Sequence, residues 1–174
     1  RRFTGRAASL AARLGRHAQA YDLHRTLLAD AERRGDEEAI GALLPPTVEL
    51  ATALERAADL LELRRSELAR AADPEARLAL RTEIARLGAE LERATDRGAL
   101  LLENLRDVPG HGPSLEGLRT FLGERGRHEE LAGILDAQAS ALVDAGDVDA
   151  AVALLDEEAT LAETVLDDPS RTLE

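Results

Sequence analysis

Apolar residues recur at steps of three and four along almost the whole 174-residue chain, in stretches separated by Gly or Pro. This spacing places them on one face of an α-helix. The composition agrees, because 33 Ala and 32 Leu stand against six Val, three Ile and three aromatic residues, too few to fill the faces of a sheet. The sequence therefore predicts an all-α fold. The most regular stretch is predicted to bury Val148, Val152, Leu155, Ala159, Ala162 and Leu166.

The breaks between these stretches divide the chain into about nine predicted helices. Pro45-Pro46 is expected to end a short helix, and a long helix is expected from Pro46 to Ala72. Asp73-Pro74 is typical of a helix start. Because the turns are short, neighbouring helices should form antiparallel hairpins within one domain, residues 1–174. Four glycines are expected to stop helices: Gly15, Gly35, Gly126 and Gly146.

The net charge of the chain, −12, disfavours two classes of partner. Binding of nucleic acid over a broad surface needs a basic stripe, and an anionic membrane surface needs one too. No apolar run approaches the roughly twenty residues that span a bilayer. We therefore expect neither nucleic acid nor a membrane as a partner, and we expect a cytoplasmic location.

Two residue types that serve many catalytic sites are absent from the sequence. The lack of Cys excludes disulfides and cysteine-based metal sites. The lack of Lys, with all 22 basic residues being Arg, excludes Schiff-base chemistry and the phosphate-loop lysine. No serine-nucleophile or dinucleotide motif occurs, and carboxylates adjacent in sequence point apart on a helix. We expect no enzymatic activity, no catalytic residue, no metal and no cofactor.

Two similar segments indicate an internal repeat. Leu14-Gly15-Arg16-His17 is similar to Arg125-Gly126-Arg127-His128, and each stands between two predicted helices. The separation of 111 residues divides into three units of 37. That length lies within the roughly 34 to 47 residues of helical-pair repeats in solenoid proteins.

The chain resembles the tetratricopeptide-repeat (TPR) family. The two large residues, the glycine and the aromatic position of that family's first helix have counterparts in Ile84, Leu87, Gly88 and Leu91. The family's inter-helix turn, its small residue and its repeat-ending turns have counterparts in Leu14-Gly15-Arg16, Ala20, Asp73-Pro74 and Asp168-Pro169. The resemblance implies a right-handed α-solenoid of helix hairpins whose concave face binds peptides or proteins. We expect the chain to be a piece of a longer repeat protein.

Four polar residues form a candidate binding stripe on the first predicted helix. The resemblance implies that this helix lines the groove, and guanidinium groups can hold a carboxylate or an acidic peptide through bidentate bonds. The alternatives are a solvated helix face, which is the usual meaning of such a charge pattern, and an interface between repeats. The stripe consists of Arg2, Arg6, Ser9 and Arg13, beside an apolar stripe of Phe3, Ala7, Leu10 and Leu14.

Three residues of the second predicted helix, His17, Tyr21 and His24, share one face. They are too few for a structural zinc site, and the HExxH motif is absent. We expect them to be partly buried where two helices meet. His111 lies in a turn rich in Pro and Gly, and it is expected to face water.

Two hypotheses for function remain open at this point. The first is a non-catalytic interaction module or scaffold that presents a groove to a protein or peptide, with an acidic peptide as one candidate partner. The second is a structural, self-associating segment of a larger assembly. Residues 1–34 carry a net charge of +5 and residues 144–174 carry −9, so the two ends are complementary. Head-to-tail contact between copies follows from that polarity.

Overall fold

The structure is a computed structural model that describes residues 7, 10, 11, 13–92 and 97–166, with only the backbone for residues 165 and 166. These residues contain eight α-helices and no strand, which confirms the predicted all-α fold. The expected number, nine, is one too many for this part of the chain. The first expected helix lies mostly outside it, although residues 7, 10, 11 and 13 are helical. Helices α1 to α8 span His17–Arg34, Glu37–Ala53, Ala57–Leu68, Pro74–Glu90, Arg97–Asp107, Gly112–Gly123, His128–Ala145 and Val148–Leu161.

The chain divides into two compact units, Arg1–Leu80 and Arg81–Glu174. In the first unit, α1 packs against α2 and α2 packs against α3. In the second unit, each helix from α5 to α8 packs against the next, and a π-helical segment, Ala162–Leu166, packs against α7 and α8. The second unit has a contiguous core, to which α4 contributes Ala85. The leucines of that core are Leu101, Leu105, Leu115, Leu118, Leu122, Leu131, Leu135, Leu142 and Leu154.

Five turns that lead into helices have the same backbone geometry. One residue has a left-handed φ between 52° and 85°, and the residue after it has a φ near −90° and precedes a new helix. The backbone N–H of that second residue donates to the carbonyl five residues earlier at 2.9–3.1 Å, which satisfies the end of the preceding helix. The left-handed residues are Gly15, Gly35, Glu55, Gly126 and Gly146.

These turns recur every 20 residues within each unit, at positions 15, 35 and 55 and again at 126 and 146. The residues four before each turn are all buried, as are the residues five after it. The repeating element is therefore one helix with its turn, 20 residues long, and the repeat length of 37 expected from the sequence is wrong. The buried positions are Ala11, Ala31, Ala51, Leu122 and Leu142 before the turns, and Ala20, Ile40, Leu60, Leu131 and Ala151 after them.

The two prolines expected to end a helix lie inside α2. Each removes one backbone hydrogen bond, so this helix continues at a cost. Residues on both sides of the prolines are buried, including Leu44 and Val48, and this burial holds the helix together. The hydroxyl of Thr47 also donates to the carbonyl of Leu43 at 2.6 Å.

The long helix predicted from Pro46 to Ala72 is two helices, because the chain turns at Glu55 between α2 and α3. No Gly or Pro marks this break, and the apolar spacing continues across it. The sequence pattern therefore gave no indication of a turn.

The last helix, α8, buries only part of the face predicted for it: Ala162, just after the helix, is buried, Ala159 is half-buried, and the side chain of Leu166 lies outside the described residues. Ala151 and Leu154 are buried, whereas Val148, Val152 and Leu155 are exposed. Apolar residues surround much of this helix, so the spacing fits more than one stripe and does not show which one is covered. In the first predicted helix, likewise, Leu10 and Leu14 are exposed although Ala11 is buried. Across the described ranges, no helix combines the length and the apolarity needed to cross a bilayer.

Candidate functional site

A cleft of about 380 Å³ opens in the second unit between α4, α5 and α6. Its surface is mostly apolar, with Leu101 of α5 among the residues that line it. Small residues of the two flanking helices keep the cleft open, because their side chains fill little of it. These are Thr82, Ala85 and Ala89 of α4 and Gly117 and Thr120 of α6. We call this feature the α4–α6 cleft.

Two glycines bring α5 and α6 close together beside the cleft. A Cβ atom on Gly117 would lie 2.8 Å from Cδ1 of Leu101, and one on Gly98 would lie 3.0 Å from Cε1 of Phe121. Leu101 is fully buried and has little freedom to move away. The position of α6 against α5, and hence the width of the cleft, therefore depends on the absence of a side chain at Gly117.

Charged residues of both signs line the α4–α6 cleft. Arg86 and Glu90 form an ion pair along α4, so their charges offset each other. Arg97 lies against the ring of Phe121, with its guanidinium carbon 5.5 Å from the ring centre. The nitrogen Nη1 of Arg97 is 3.9 Å from Oε2 of Glu124, beyond hydrogen-bond distance. Among the described residues, Arg97 has no closer acidic partner than Glu124, so its guanidinium can offer donors to a carboxylate brought by a ligand.

A buried cation lies behind this cleft. Arg81 of α4 is buried, and its Nε is 2.9 Å from Oε2 of Glu103 on α5. Its Nη1 donates to Oδ2 of Asp107 at 2.5 Å, and both acids are half exposed. The two carboxylates compensate the charge of Arg81 while they remain in contact with water. Only the guanidinium, and not the acids, therefore pays the desolvation cost of burial. These bonds fix α4 to α5.

An uncharged hydrogen-bond network continues from Arg81 to α6. Asn104 of α5 is fully buried, and its Nδ2 donates to Oγ1 of Thr82 at 2.9 Å and to Oγ of Ser114 at 3.0 Å. Nδ1 of His111 lies 2.8 Å from the same Oγ of Ser114. Because Thr82 also lines the cleft, the network positions the wall against which a ligand would pack.

The contact between His111 and Ser114 does not form an accessible nucleophile. Ser114 is fully buried, so a substrate has no path to its hydroxyl. Burial lowers the pKa of His111 below its usual value, and the neutral ring is the form that can accept a hydroxyl proton. His111 was expected to face water, but the ring bonds back to the first turn of α6 and is half-buried.

A second interhelical ion pair holds α6 against α8. Arg119 donates from Nε and Nη2 to the two carboxylate oxygens of Glu157, both at 2.5 Å. The bidentate bond to Glu157 raises the pKa of Arg119, and the nearby Glu116 acts in the same direction. Since α6 forms one wall of the cleft, this pair also stabilises the site.

The predicted binding stripe is described only in part. Arg2, Arg6 and Ser9 lie outside the described residues, and Arg13 is exposed. The predicted face of α1 is described in full: Tyr21 is buried, His24 is half-buried and His17 is exposed. The guanidinium of Arg56 lies 4.3 Å from the centre of the Tyr21 ring. In the parts of the chain that the structure covers, no group of three or more His or acidic residues is placed to hold a metal.

Sequence reasoning missed Arg81, Asn104 and Ser114. A signal was present for Asn104, because Leu101, Asn104 and Leu105 share one helical face, which makes the amide a polar residue at a core position. No signal singled out Arg81 among 22 arginines. The comparisons add no assignment: no protein-family profile, curated protein or solved structure matches the chain.

Proposed function

We propose that this chain is a non-catalytic interaction module, a TPR-like right-handed solenoid of helix hairpins that holds a segment of a partner protein in the α4–α6 cleft. The observation that carries the proposal is the cleft itself, a mostly apolar space of about 380 Å³ lined by residues of three consecutive helices. Ligand sites in proteins usually have volumes of about 300–1,000 Å³ and a few polar groups at defined positions. A rigid wall of helices with small side chains is better suited to recognising the shape of a bound segment than to catalysing a reaction.

The chemistry of the cleft favours an apolar side chain beside an acidic one. Ala89 and Pro113 offer apolar surface in the lining, so a leucine or phenylalanine of the partner gains burial there. Arg97 stands in the same lining and pairs only loosely with Glu124. An aspartate or glutamate next to the apolar anchor would bind Arg97 through a charge-assisted hydrogen bond.

Selection of peptides from a displayed random library on the immobilised 174-residue protein tests this function. The expected binders contain an apolar residue followed or preceded closely by an acid. Thr120→Trp fills the cleft from an exposed position, and it should weaken binding of those peptides about tenfold or more. Arg97→Gln should weaken the binding of the acidic peptides. It should not change the binding of peptides in which the acid is replaced by its amide.

The matched control is Thr160→Trp on α8. Thr120 and Thr160 are both exposed, and each hydroxyl donates to the carbonyl four residues earlier, but only Thr120 lines the cleft. Thr160→Trp should bind the selected peptides as the parent chain does. If the library yields no binder, or if both tryptophan variants bind equally well, the proposed function is wrong.

A further inference from the structure

The outward face of α8 carries exposed apolar side chains. Val148, Val152 and Leu155 stand at steps of four and three, so they form one continuous stripe, and they are 56%, 50% and 44% exposed. Single exposed apolar residues are ordinary, but three in one stripe on a helix make this face a candidate contact surface. We call this stripe the tail.

The surroundings of the tail are acidic. Asp149 and Asp156 follow Val148 and Leu155 directly, and both are exposed. Residues 144–166 contain seven acids and no Arg. A partner for this face therefore needs apolar side chains with basic residues beside them.

The segment before α1 has that composition. Leu10 and Leu14, which are 56% and 61% exposed, stand four residues apart, and the exposed Arg13 and Arg16 lie beside them. Residues 1–16 contain five Arg and no acid. We call Leu10, Arg13, Leu14 and Arg16 the head.

Comparison of equivalent positions after the repeated turns shows that a helix packs beside α2 where the tail of α8 is exposed. Leu44 of α2 and Leu155 of α8 both stand nine residues after their turns, Gly35 and Gly146. In the first unit α2 is followed by α3, which packs against it, and Leu44 is buried. Within the described part of the chain, α8 is followed only by the five-residue π-helical segment, and Leu155 is exposed. A further helix would complete the array at α8.

From these observations we infer that the tail of one molecule binds the head of a second copy. The head supplies helical residues before a turn of the repeated geometry, with Arg16 leading into α1. Apolar contact between Leu14 and Val152 and attraction between the arginines and the acids act together. Because head and tail are different surfaces, the contact is heterologous, and each dimer keeps one free head and one free tail.

Sedimentation velocity of the 174-residue chain over a concentration series up to about 1 mM tests the inference. The mean size should rise with concentration. Raising the salt from about 0.1 M to about 1 M, over which the Debye length falls from about 10 Å to about 3 Å, should weaken association about tenfold. A chain that stays monomeric at every concentration at the lower salt contradicts the inference, whatever else α8 binds.

Two charge variants separate this contact from the alternatives. Leu14→Glu disables the head and Val152→Arg disables the tail, and each should raise the dissociation constant about tenfold or more. In a mixture of the two, the intact tail of one variant should bind the intact head of the other, so association should be restored. The control Val108→Arg changes an exposed valine in the connection between α5 and α6, and it should associate as the parent does.

The opposite results overturn the inference. If the Leu14→Glu variant associates as strongly as the parent, tails pair with tails and the head is not involved. If the two variants do not associate when mixed, the surfaces do not complement each other. Circular dichroism of each variant should match that of the parent, and a variant that fails this check is replaced by Leu10→Glu or Leu155→Arg. The peptide-binding test does not depend on any of these outcomes.

Discussion

Asn104 is the residue that joins the buried cation of α4 to the first turn of α6. Its amide donates to Thr82 and Ser114, and its Oδ1 lies 3.4 Å from Nη1 of Arg81. A buried amide of this kind stabilises the fold less through its own bonds than through the cost of leaving its partners unpaired. It also fixes one arrangement of three helices, where leucines alone would allow several.

Replacing Asn104 with leucine should lower the free energy of unfolding by about 2 kcal/mol, because the buried hydroxyl of Ser114, the half-buried hydroxyl of Thr82 and the guanidinium of Arg81 each lose a partner. Urea denaturation followed by circular dichroism measures the change. Gln19→Leu on the exposed face of α1 is the control, and it should change stability by less than about 0.5 kcal/mol. A loss at Asn104 as small as that of the control would show that the network contributes nothing to stability.

His24 makes the stability of the chain depend on pH. Burial lowers its pKa, and its Nδ1 is buried without a hydrogen-bond partner among the described residues. The unfolded chain has the ordinary histidine pKa of about 6.5, so below that pH it binds more protons than the folded chain does. The stabilisation from neutral His24 is thus complete above about pH 6.5 and is lost as the pH falls toward the lower, folded value.

Substitution of His24 with leucine should raise stability, and the gain should grow as the pH falls from about 7.5 to about 5.5. Midpoints of urea unfolding at several pH values give the result. His111, whose pKa is lowered in the same way, remains in the variant, so some of the pH dependence should persist. A gain that is constant across this range would mean that His24 titrates alike in both states.

At the scale of elements, the recurring turn accounts for most of the helix boundaries. Four of its five left-handed positions hold glycine, and the fifth holds Glu55 with a φ of 52°. A side chain at such a position is strained, because its Cβ crowds the backbone. The turn is retained at Glu55 since the burial of Ala51 and Leu60 on either side fixes it.

Glu55→Gly should therefore stabilise the chain by about 1 kcal/mol, since glycine adopts this conformation without strain. Gly35→Ala, at the equivalent turn, should destabilise it by a similar amount. Gly41→Ala is the control, because Gly41 lies inside α2 with open space around it and alanine is the better helix former. Thermal unfolding of the three variants gives the comparison. A lower melting temperature for Glu55→Gly would show that a contact of the Glu55 carboxylate stabilises the fold by more than the backbone strain destabilises it.

The sequence was most informative where a residue type has one structural meaning. Gly35-Asp36 and Asp73-Pro74 gave the correct boundaries, because a left-handed turn, an N-cap and a first-turn proline are local properties. It was misleading at Pro45-Pro46, where burial overrides a local preference, and at Glu55, where no special residue marks the turn. The sequence did not predict the α4–α6 cleft, because a cleft forms where small residues of different helices face one another, and the sequence pattern does not show which residues do so.

At the scale of the whole molecule, the absence of Lys makes the positive charge fixed. Arginine keeps its proton at every accessible pH, so the side-chain charge that changes below neutrality is that of the 34 carboxylates and the four histidines. The chain carries −12 at pH 7, and it reaches neutrality near pH 4.8. Repulsion between molecules is weakest at that point.

Solubility at low salt should therefore pass through a minimum near pH 4.8, where the net charge vanishes. The protein that remains in the supernatant after centrifugation at each pH measures it. The minimum should flatten in about 1 M salt, where charges are screened over about 3 Å. If solubility instead decreases continuously as the pH is lowered and does not recover below about pH 4.8, the cause is acid unfolding and not charge neutrality.

The burial of Arg81 has a consequence for how such chains can diverge over evolutionary time. A lineage that lost Asp107 and Glu103 would leave the buried guanidinium of Arg81 without a compensating charge, and arginine cannot be neutralised by losing its proton. A lineage that lost Arg81 would remove the group that lies beside Oδ1 of Asn104. Drift at any one of these sites is therefore penalised unless the others change with it. Among descendants of a common ancestor, these positions should be inherited, or replaced by apolar residues, as a set.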